Sequence, residues 1–287
     1  MRVAGALSGY ELLDTGDGNR LEKWDGFVFK RPDPQILWPA AQPALWKPDA
    51  EYLRSKTGGG KWRFLRPVPD TLRVSFGLLR FLIRPTGFKH MGLFPEQAAN
   101  WAFLMDAIRA AGRPISVLNL FAYTGGATLA ALAAGASVCH VDASKGMVQW
   151  ARDNAAESGL SGAPCRWIVD DCMKFVEREA RRGRTYDVII LDPPSYGRGP
   201  DGQLWTLENS VYTLCVKCAQ ILSAQPLLMM LNTYTTGLTG GVMAAVLNRA
   251  AGSRFHRPAQ ADEIGLAAMA GGTVLPAGNT AILYNKE

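Results

Sequence analysis

The chain has 287 residues, 48% of them hydrophobic, with 31 Lys and Arg against 25 Asp and Glu and a formal charge of +6. That length permits one large core, or a main domain of about 200 residues with a smaller companion. No apolar run reaches the roughly 18 to 20 residues of a membrane span. The first residues lack a signal-peptide pattern, and five scattered cysteines do not make a disulfide framework. These features lead to the expectation of a cytoplasmic protein without membrane contact.

The charge is unevenly placed. Residues 1–90 hold 15 basic against 9 acidic side chains, and the remainder holds 16 of each. Within 46–90 the balance is 10 to 3, interleaved with Trp46, Tyr52, Trp62, Phe64, Phe76, Phe81 and Phe88. Basic groups displace counterions from phosphates, and exposed aromatics stack on unpaired bases, so the segment is a candidate nucleic-acid contact. The alternative is a small β domain whose aromatics form its own core.

Taken in order, Tyr10–Leu13 and Phe27–Lys30 have strand character, separated by a turn-rich run at 14–19. Five prolines between Pro32 and Pro48 predict extended, irregular chain. Gly58-Gly59-Gly60 reads as a loop and Leu72–Arg84 as strand. After Pro85 the texture changes. A helix is predicted over Pro95–Ala111, closed by Gly112 and Pro114. Apolar strands then alternate with helices. The strands are Ser116–Phe121, Ser137–Asp142, Arg166–Asp170, Tyr186–Leu191 and Pro226–Asn232. The helices are Gly126–Ala134, Lys145–Ser158, Met173–Arg182, Leu207–Leu222 and Gly241–Ala251. This is the pattern of an α/β, doubly wound, Rossmann-like parallel sheet. Two further strands are expected around Arg254–Pro258 and Thr280–Tyr284. The division predicted is a β-rich basic domain over 1–85, for substrate docking, and the α/β domain over 86–287.

In such sheets ligands bind beyond the carboxyl ends of the strands, beside the first. The loop there is Asn119-Leu120-Phe121-Ala122-Tyr123-Thr124-Gly125-Gly126. Gly125 and Gly126 allow close backbone approach to a ligand. Asp142, at the end of the second strand, can accept hydrogen bonds from both ribose hydroxyls of an adenosyl group. Asp170-Asp171-Cys172 ends the third strand, where a side chain plus a backbone N–H can recognise adenine. A dinucleotide needs a G-x-G-x-x-G fingerprint, and the glycine following Gly126 is Gly135. S-adenosylmethionine (SAM) carries no phosphate, so one glycine turn suffices.

The fourth strand ends in Asp192-Pro193-Pro194-Ser195-Tyr196. Here the chain resembles class I SAM-dependent methyltransferases, in particular the ribosomal-RNA large-subunit group. The likeness rests on the Asn119–Gly126 loop, on Asp142 followed by Ala143, Ser144 and Lys145, and on Asp192-Pro193-Pro194. It includes Phe88–Gln97, which resembles a segment closing over the methionine end of the cofactor. The resemblance implies SAM as cofactor, S-adenosylhomocysteine as product, and RNA, in particular ribosomal RNA, as partner. Phe94, Glu96 and Gln97 then join residues 119 and 121–126, Asp142, Ala143, Ser144, Asp171, Cys172 and Asp192 at the cofactor. Asp192, Pro193, Pro194 and Tyr196 form the catalytic set. Acceptors on Asp192 and the Pro193 carbonyl would hold the N–H groups of a base amine, and Tyr196 would stack on the flipped base.

Relatives that methylate carbon 5 of cytosine use a cysteine after the fifth strand. Here residues 231–237 contain none, which favours direct transfer to nitrogen, or to oxygen. Cys215-x-x-Cys218 reads as helix packing, His140 as a core residue, and no metal site is expected. Two competing readings are a methyltransferase for a small molecule or protein, and a non-catalytic SAM-responsive RNA-binding protein. The oligomeric state stays open.

Overall fold

The computed structural model describes residues 1–55, 59–199, 202–235 and 237–285. Gly58 of the expected glycine loop and Thr236 lie outside the described residues. Two compact units are present: Val3–Ala99 with Gly265–Pro276, and Met1–Arg2, Asn100–Ile264 and Ala277–Glu287. No described helix is long and apolar enough to cross a membrane.

After a short β1 (Arg2–Val3), the N-terminal unit builds a sheet of β2 (Tyr10–Gly16), β3 (Asn19–Trp24), β4 (Phe27–Pro32), β5 (Ala50–Arg54) and β6 (Gly60–Phe64), paired in chain order. Asp17-Gly18 and Asp25-Gly26 both have positive φ at each residue. Asp-Gly at such angles makes the two-residue turn that matches strand twist, so β2, β3 and β4 form consecutive hairpins. The turn expected over 14–19 is therefore tighter than its composition suggests, with β2 running through to Gly16. The single strand expected over Leu72–Arg84 is a hairpin, β7 (Leu72–Phe76) and β8 (Leu79–Ile83), reversing at Gly77 (φ +56°). The unit extends past residue 85 to Ala99, and 265–276 joins it through Met269 N–H to the Leu12 carbonyl at 2.9 Å.

One face of this sheet is charged yet buried. Glu22, at 0% exposure, accepts from Tyr10 at 3.0 Å and from two nitrogens of Arg31 at 2.5 and 2.7 Å. Arg20 is ion-paired with Asp33. Arg31 also donates to the Lys89 carbonyl at 3.0 Å, tying the 84–97 segment to the sheet. Burying Glu22 is tolerable because a guanidinium and a phenol satisfy it.

The main unit opens inside α1 (Ala98–Ala110), at Asn100, then alternates β9 (Ser116–Leu120), α2 (Gly126–Ala133), β10 (Ser137–Asp142), α3 (Lys145–Glu157), β11 (Cys165–Val169), α4 (Cys172–Arg181) and β12 (Val188–Leu191). A small hairpin, β13 (Tyr196–Arg198) and β14 (Leu204–Thr206), precedes α5 (Leu207–Gln220), β15 (Leu228–Thr233), α6 (Gly240–Ala251), β16 (Gln260–Ala267) and β17 (Val274–Tyr284). The sheet order is β1-β16-β17-β15-β12-β9-β10-β11. β11, β10, β9, β12 and β15 are mutually parallel, whereas β17 runs antiparallel to β15. The strand expected at Arg254–Pro258 is a 3-10 turn and loop, and the strand begins at Gln260. Pro258 lacks the N–H a ladder needs.

Side-chain alternation divides the core. Leu118, Leu120, Val141, Ile189, Leu191, Met229 and Leu231 pack with Phe175, Val176, Leu214, Cys215, Cys218 and Leu247 of α4, α5 and α6. Cys215 and Cys218 are thus packing residues at 0% exposure. Residues of the alternate register include three buried polar groups, Asn119, His140 and Asn232. The register aligns Ile168, Val141, Leu120, Leu191, Leu231 and Ala281 in one row across six strands. The residues one step beyond that row form the rim on which the site stands.

Candidate functional site

The rim holds Asp142, Phe121, Asp192 and Asn232 on neighbouring strands. Asp142 and Asp192 are separated by the strand carrying Phe121, so their main chains lie on the order of 10 Å apart.

The loop after β9 is under backbone strain. Phe121 and Tyr123 have φ of +54° and +51°, which costs a side-chain-bearing residue of order 1 kcal/mol each. Hydrogen bonds hold this shape. Ala122 N–H donates to the Val141 carbonyl at 3.0 Å, and Tyr123 N–H donates to Asp142 Oδ2 at 2.9 Å. Gly125 N–H donates to the Ala122 carbonyl at 3.0 Å, and Phe121 N–H points at the Cys172 sulfur at 3.4 Å. Cys172 is buried at 3% exposure, so its thiol supports the loop from behind. Burial pushes that thiol's pKa upward and keeps it protonated.

The two glycines have internal reasons. Gly125 sits at φ +91°, and a Cβ on it would lie 3.0 Å from Ala151 Cβ. A Cβ on Gly126 would meet the Trp101 ring at 2.5 Å. The Cβ direction of Gly126 thus faces the indole of α1. Asn119 also faces inward: at 2% exposure it donates to Thr128 Oγ1 at 2.9 Å, which is in turn 2.9 Å from His140 Nδ1. Asn119 therefore positions the loop through α2. His140 has its pKa lowered to about 3 by burial, so it is neutral at working pH. Thr124, at 1% exposure, accepts from Asn154 through its carbonyl at 2.9 Å.

Asp142 accepts from Tyr123 N–H through one oxygen and from Ser144 N–H through the other at 2.8 Å. Burial raises its pKa, and those two backbone bonds only partly offset the rise. Each oxygen keeps a lone pair for an outside donor. Ser144 caps α3 through its hydroxyl to Met147 N–H at 3.4 Å, and Ala143 is half-buried between the two. Asp171 caps α4 through Oδ1 to Lys174 N–H at 2.9 Å, and a Cβ on Gly199 would lie 3.1 Å from its other oxygen. The β13–β14 hairpin therefore runs beside Asp171.

Asp192 is half-buried and Pro193 buried, whereas Pro194, Ser195 and Tyr196 are exposed. Two groups not expected from the sequence shape this loop. Trp205 donates from Nε1 to the Pro194 carbonyl at 2.7 Å, and its ring lies 4.9 Å from that of Phe121. Thr235 Oγ1 lies 2.5 Å from Ser195 Oγ. The signal for the hairpin was present in Gly197-Arg198-Gly199-Pro200-Asp201-Gly202, a turn-rich run between Tyr196 and Trp205.

Phe94, Glu96 and Gln97 belong to the N-terminal unit. Phe94 lies tilted against His90 with centroids 5.1 Å apart, and Pro95–Gln97 forms a 3-10 turn. Glu96 and Gln97 are buried at 3% and 6% exposure. Glu96 Oε2 has no hydrogen-bond partner among the described residues. Burial raises the Glu96 pKa, against the pull of Arg20 and Arg31. His90 is held neutral, its pKa lowered to about 4 by burial and by Arg31. Of the seven aromatics between Trp46 and Phe88, Tyr52 and Phe81 are buried, and Trp62 packs edge-on against Phe29 and Tyr52. Phe64 and Phe88 are exposed, at 51% and 67%.

Comparison with known proteins points to one family. The family model described as S-adenosylmethionine-dependent methyltransferase matches residues 61–232. The crystal structure of a SAM-dependent methyltransferase from Agrobacterium tumefaciens is 36% identical, covers 98% of this chain and 92% of that one, and superposes with a TM-score of 0.93. Ribosomal RNA large subunit methyltransferase I of Shewanella denitrificans is 33% identical over 197 residues, 65% of this chain and 45% of that protein. Ribosomal RNA large subunit methyltransferase K/L of Shewanella frigidimarina is 36% identical over 118 residues, 41% of this chain and 16% of that protein. The aligned stretches thus span less than half the length of these curated relatives.

Proposed function

We propose that this chain, which belongs to the S-adenosylmethionine-dependent methyltransferase family, methylates a base nitrogen of RNA, with ribosomal RNA as the substrate class to test first. The observation that carries the reading is Asp192 on the rim beside Phe121, in a loop whose Pro194 carbonyl is fixed by Trp205.

The donor set suits the family's cofactor. Asp142 keeps a lone pair on each oxygen for the two ribose hydroxyls, and Asp171 keeps one oxygen beyond its capping bond. The main chain of 121–126, with Ala143 and Ser144, would line the rest of that pocket. When bound, the cofactor supplies a methyl group on a sulfonium, which is a good leaving group.

What the protein contributes is orientation. Asp192 and the Pro193 carbonyl accept N–H groups of the acceptor amine and turn its lone pair toward the methyl. Pro193 and Pro194 remove backbone donors that would compete for those acceptors. Tyr196, exposed at 58%, offers a face to the base. Covalent activation of a ring carbon needs a thiol at this place. All five cysteines lie elsewhere: Cys139 and Cys165 in strands, Cys172, Cys215 and Cys218 in helices.

RNA as the partner is supported by the curated relatives' names and by the N-terminal unit. Its edge strand β6 and the residues just after it expose Lys61, Arg63, Phe64, Leu65 and Arg66. Arg66 also lies over the Phe27 ring, 5.1 Å from its centroid. Charge and flat apolar surface together suit a single strand.

The test is transfer of labelled methyl from SAM to total RNA of a strain lacking the protein. Wild type should label ribosomal RNA, and Asp192→Ala should lose on the order of 100-fold or more in turnover while SAM affinity holds. Label appearing in protein or small molecules but not in RNA would reject the reading.

A further inference from the structure

The loops after β12 and β15 leave the sheet side by side, because Leu191 pairs with Leu231. Beyond the rim they are joined again, by the 2.5 Å contact of Ser195 Oγ with Thr235 Oγ1. Each partner has an exposed tyrosine as its immediate neighbour. Tyr196 follows Ser195 and is 58% exposed; Tyr234 precedes Thr235 and is 37% exposed.

Both tyrosines are seated. Tyr196 begins β13, opposite Thr206, and Leu207 N–H donates to the Ser195 carbonyl at 3.0 Å. Tyr234 lies across β17 at Gly278, where a Cβ would come within 3.0 and 3.1 Å of ring carbons Cε1 and Cδ1. The turn carrying it is fixed by Thr235 N–H donating to Thr233 Oγ1 at 3.0 Å. Gly278 thus supplies a flat floor that a side chain would remove. Both rings thus keep area in water on the two loops that adjoin Asp192.

We propose that Tyr234 is a second positioning residue for the acceptor, acting with Tyr196 as a two-sided clamp on a planar, unpaired base presented to Asp192, with the Ser195–Thr235 contact setting the width of the slot. This rests on the base-methylation reading. A base held by two faces cannot tilt, which keeps its amine directed at the Asp192 acceptors. Stacking is tolerant of which base enters, so the clamp supplies orientation and the acceptors supply selectivity.

The test uses the full chain with purified large-subunit ribosomal RNA. It compares Tyr234→Ala, Tyr234→Phe and Gly278→Ala with wild type. Four readouts are taken: RNA affinity without cofactor, SAM affinity by calorimetry, kcat and KM separately, and melting temperature. Tyr234→Ala should weaken RNA binding and raise KM by about 5- to 100-fold, with SAM affinity unchanged. Tyr234→Phe should stay within about 2-fold of wild type, since the ring is kept. Gly278→Ala should fall between the two, because it displaces the ring without deleting it.

Wild-type labelling of RNA with Tyr234→Ala indistinguishable from wild type would overturn the clamp alone. The clamp also fails if Tyr234→Ala lowers SAM affinity and melting temperature together, which is the mark of a purely structural tyrosine. Absence of RNA labelling by wild type would overturn the base-methylation reading and the clamp with it.

Discussion

Two loops rise from neighbouring strands of one sheet and are built in opposite ways. The loop after β9 is made of interior. Its side chains at 119, 120, 122 and 124 are at most 6% exposed, its strained residues donate their N–H groups to Cys172 and Asp142, and its glycines accommodate Trp101 and Ala151. The loop after β12 is made of surface. Pro194, Ser195 and Tyr196 are exposed, and the shape is held by an indole bond, a hydroxyl contact and the Leu207 N–H bond to the Ser195 carbonyl. A small, invariant cofactor can be met by a pocket that folding itself completes. A large and variable acceptor has to be met by side chains left outside, with a lighter frame.

The largest expected effect tests the first half of that contrast. Gly126→Val drives a branched side chain into the Trp101 ring and should cost about 3 kcal/mol of stability in denaturant unfolding. Pairing Gly126→Ala with Trp101→Leu should show positive coupling in a double-mutant cycle. If Gly126→Ala instead leaves stability intact and abolishes SAM binding, the glycine serves the ligand and the contrast fails.

Next is Asp142. Removing its carboxylate in Asp142→Ala should weaken SAM by about 10- to 100-fold, the net worth of about one hydrogen bond to a charged acceptor. The pH dependence has a definite sign. Burial raises the carboxyl's pKa in the folded protein, and only the ionised form accepts from both hydroxyls. SAM affinity should therefore decline on acidification while ordinary aspartates are still ionised, and Asp142→Asn should flatten that decline. Calorimetry across pH 4 to 8 measures both.

A comparable effect is expected from His140. Its folded pKa of about 3 lies below the ordinary 6.5, so the unfolded chain takes up the proton first. Stability from this group is complete above pH 6.5 and lost as pH falls toward 3. At 1.36 kcal/mol per unit, about 2 kcal/mol should disappear between pH 6.5 and 5. His140→Gln should remove that slope from the unfolding free energy, whatever it does to stability at pH 8.

These positions also show what a sequence discloses. The alternation of apolar strands with helices was legible from 116 to 251 because a doubly covered parallel sheet leaves no polar face to blur the pattern. The strand-end positions of Asp142 and Asp192 were legible because each closes such an apolar run. Strand-end position does not record side-chain direction: Asn119 faces inward, and the Cβ direction of Gly126 faces Trp101. The direction came from Thr128, His140 and Trp101, which the fold brings in from other elements. Hairpins were under-read. Asp25-Gly26 signals a turn as clearly as Asp17-Gly18, yet the strand between them is too polar to attract notice, since its Arg20 and Glu22 are buried only through partners distant in sequence. Thr235 was invisible as a partner of Ser195, because nothing local in either residue records the other.

The smallest effect is the most informative about how separate the two loops are. Trp205 touches both, by its ring to Phe121 and by Nε1 to the Pro194 carbonyl. Trp205→Phe keeps an aromatic face and deletes the donor. A single neutral hydrogen bond is worth about 0.5 to 1.5 kcal/mol net, so turnover should fall roughly 2- to 10-fold. SAM affinity should hold, because the loop after β9 keeps its main-chain bonds and its packing. Trp205→Ala removes both contacts and should lower turnover and SAM affinity together. If Trp205→Phe already lowers cofactor affinity as much as turnover, the interior loop depends on the surface loop, and the division of labour between them is not a property of this fold.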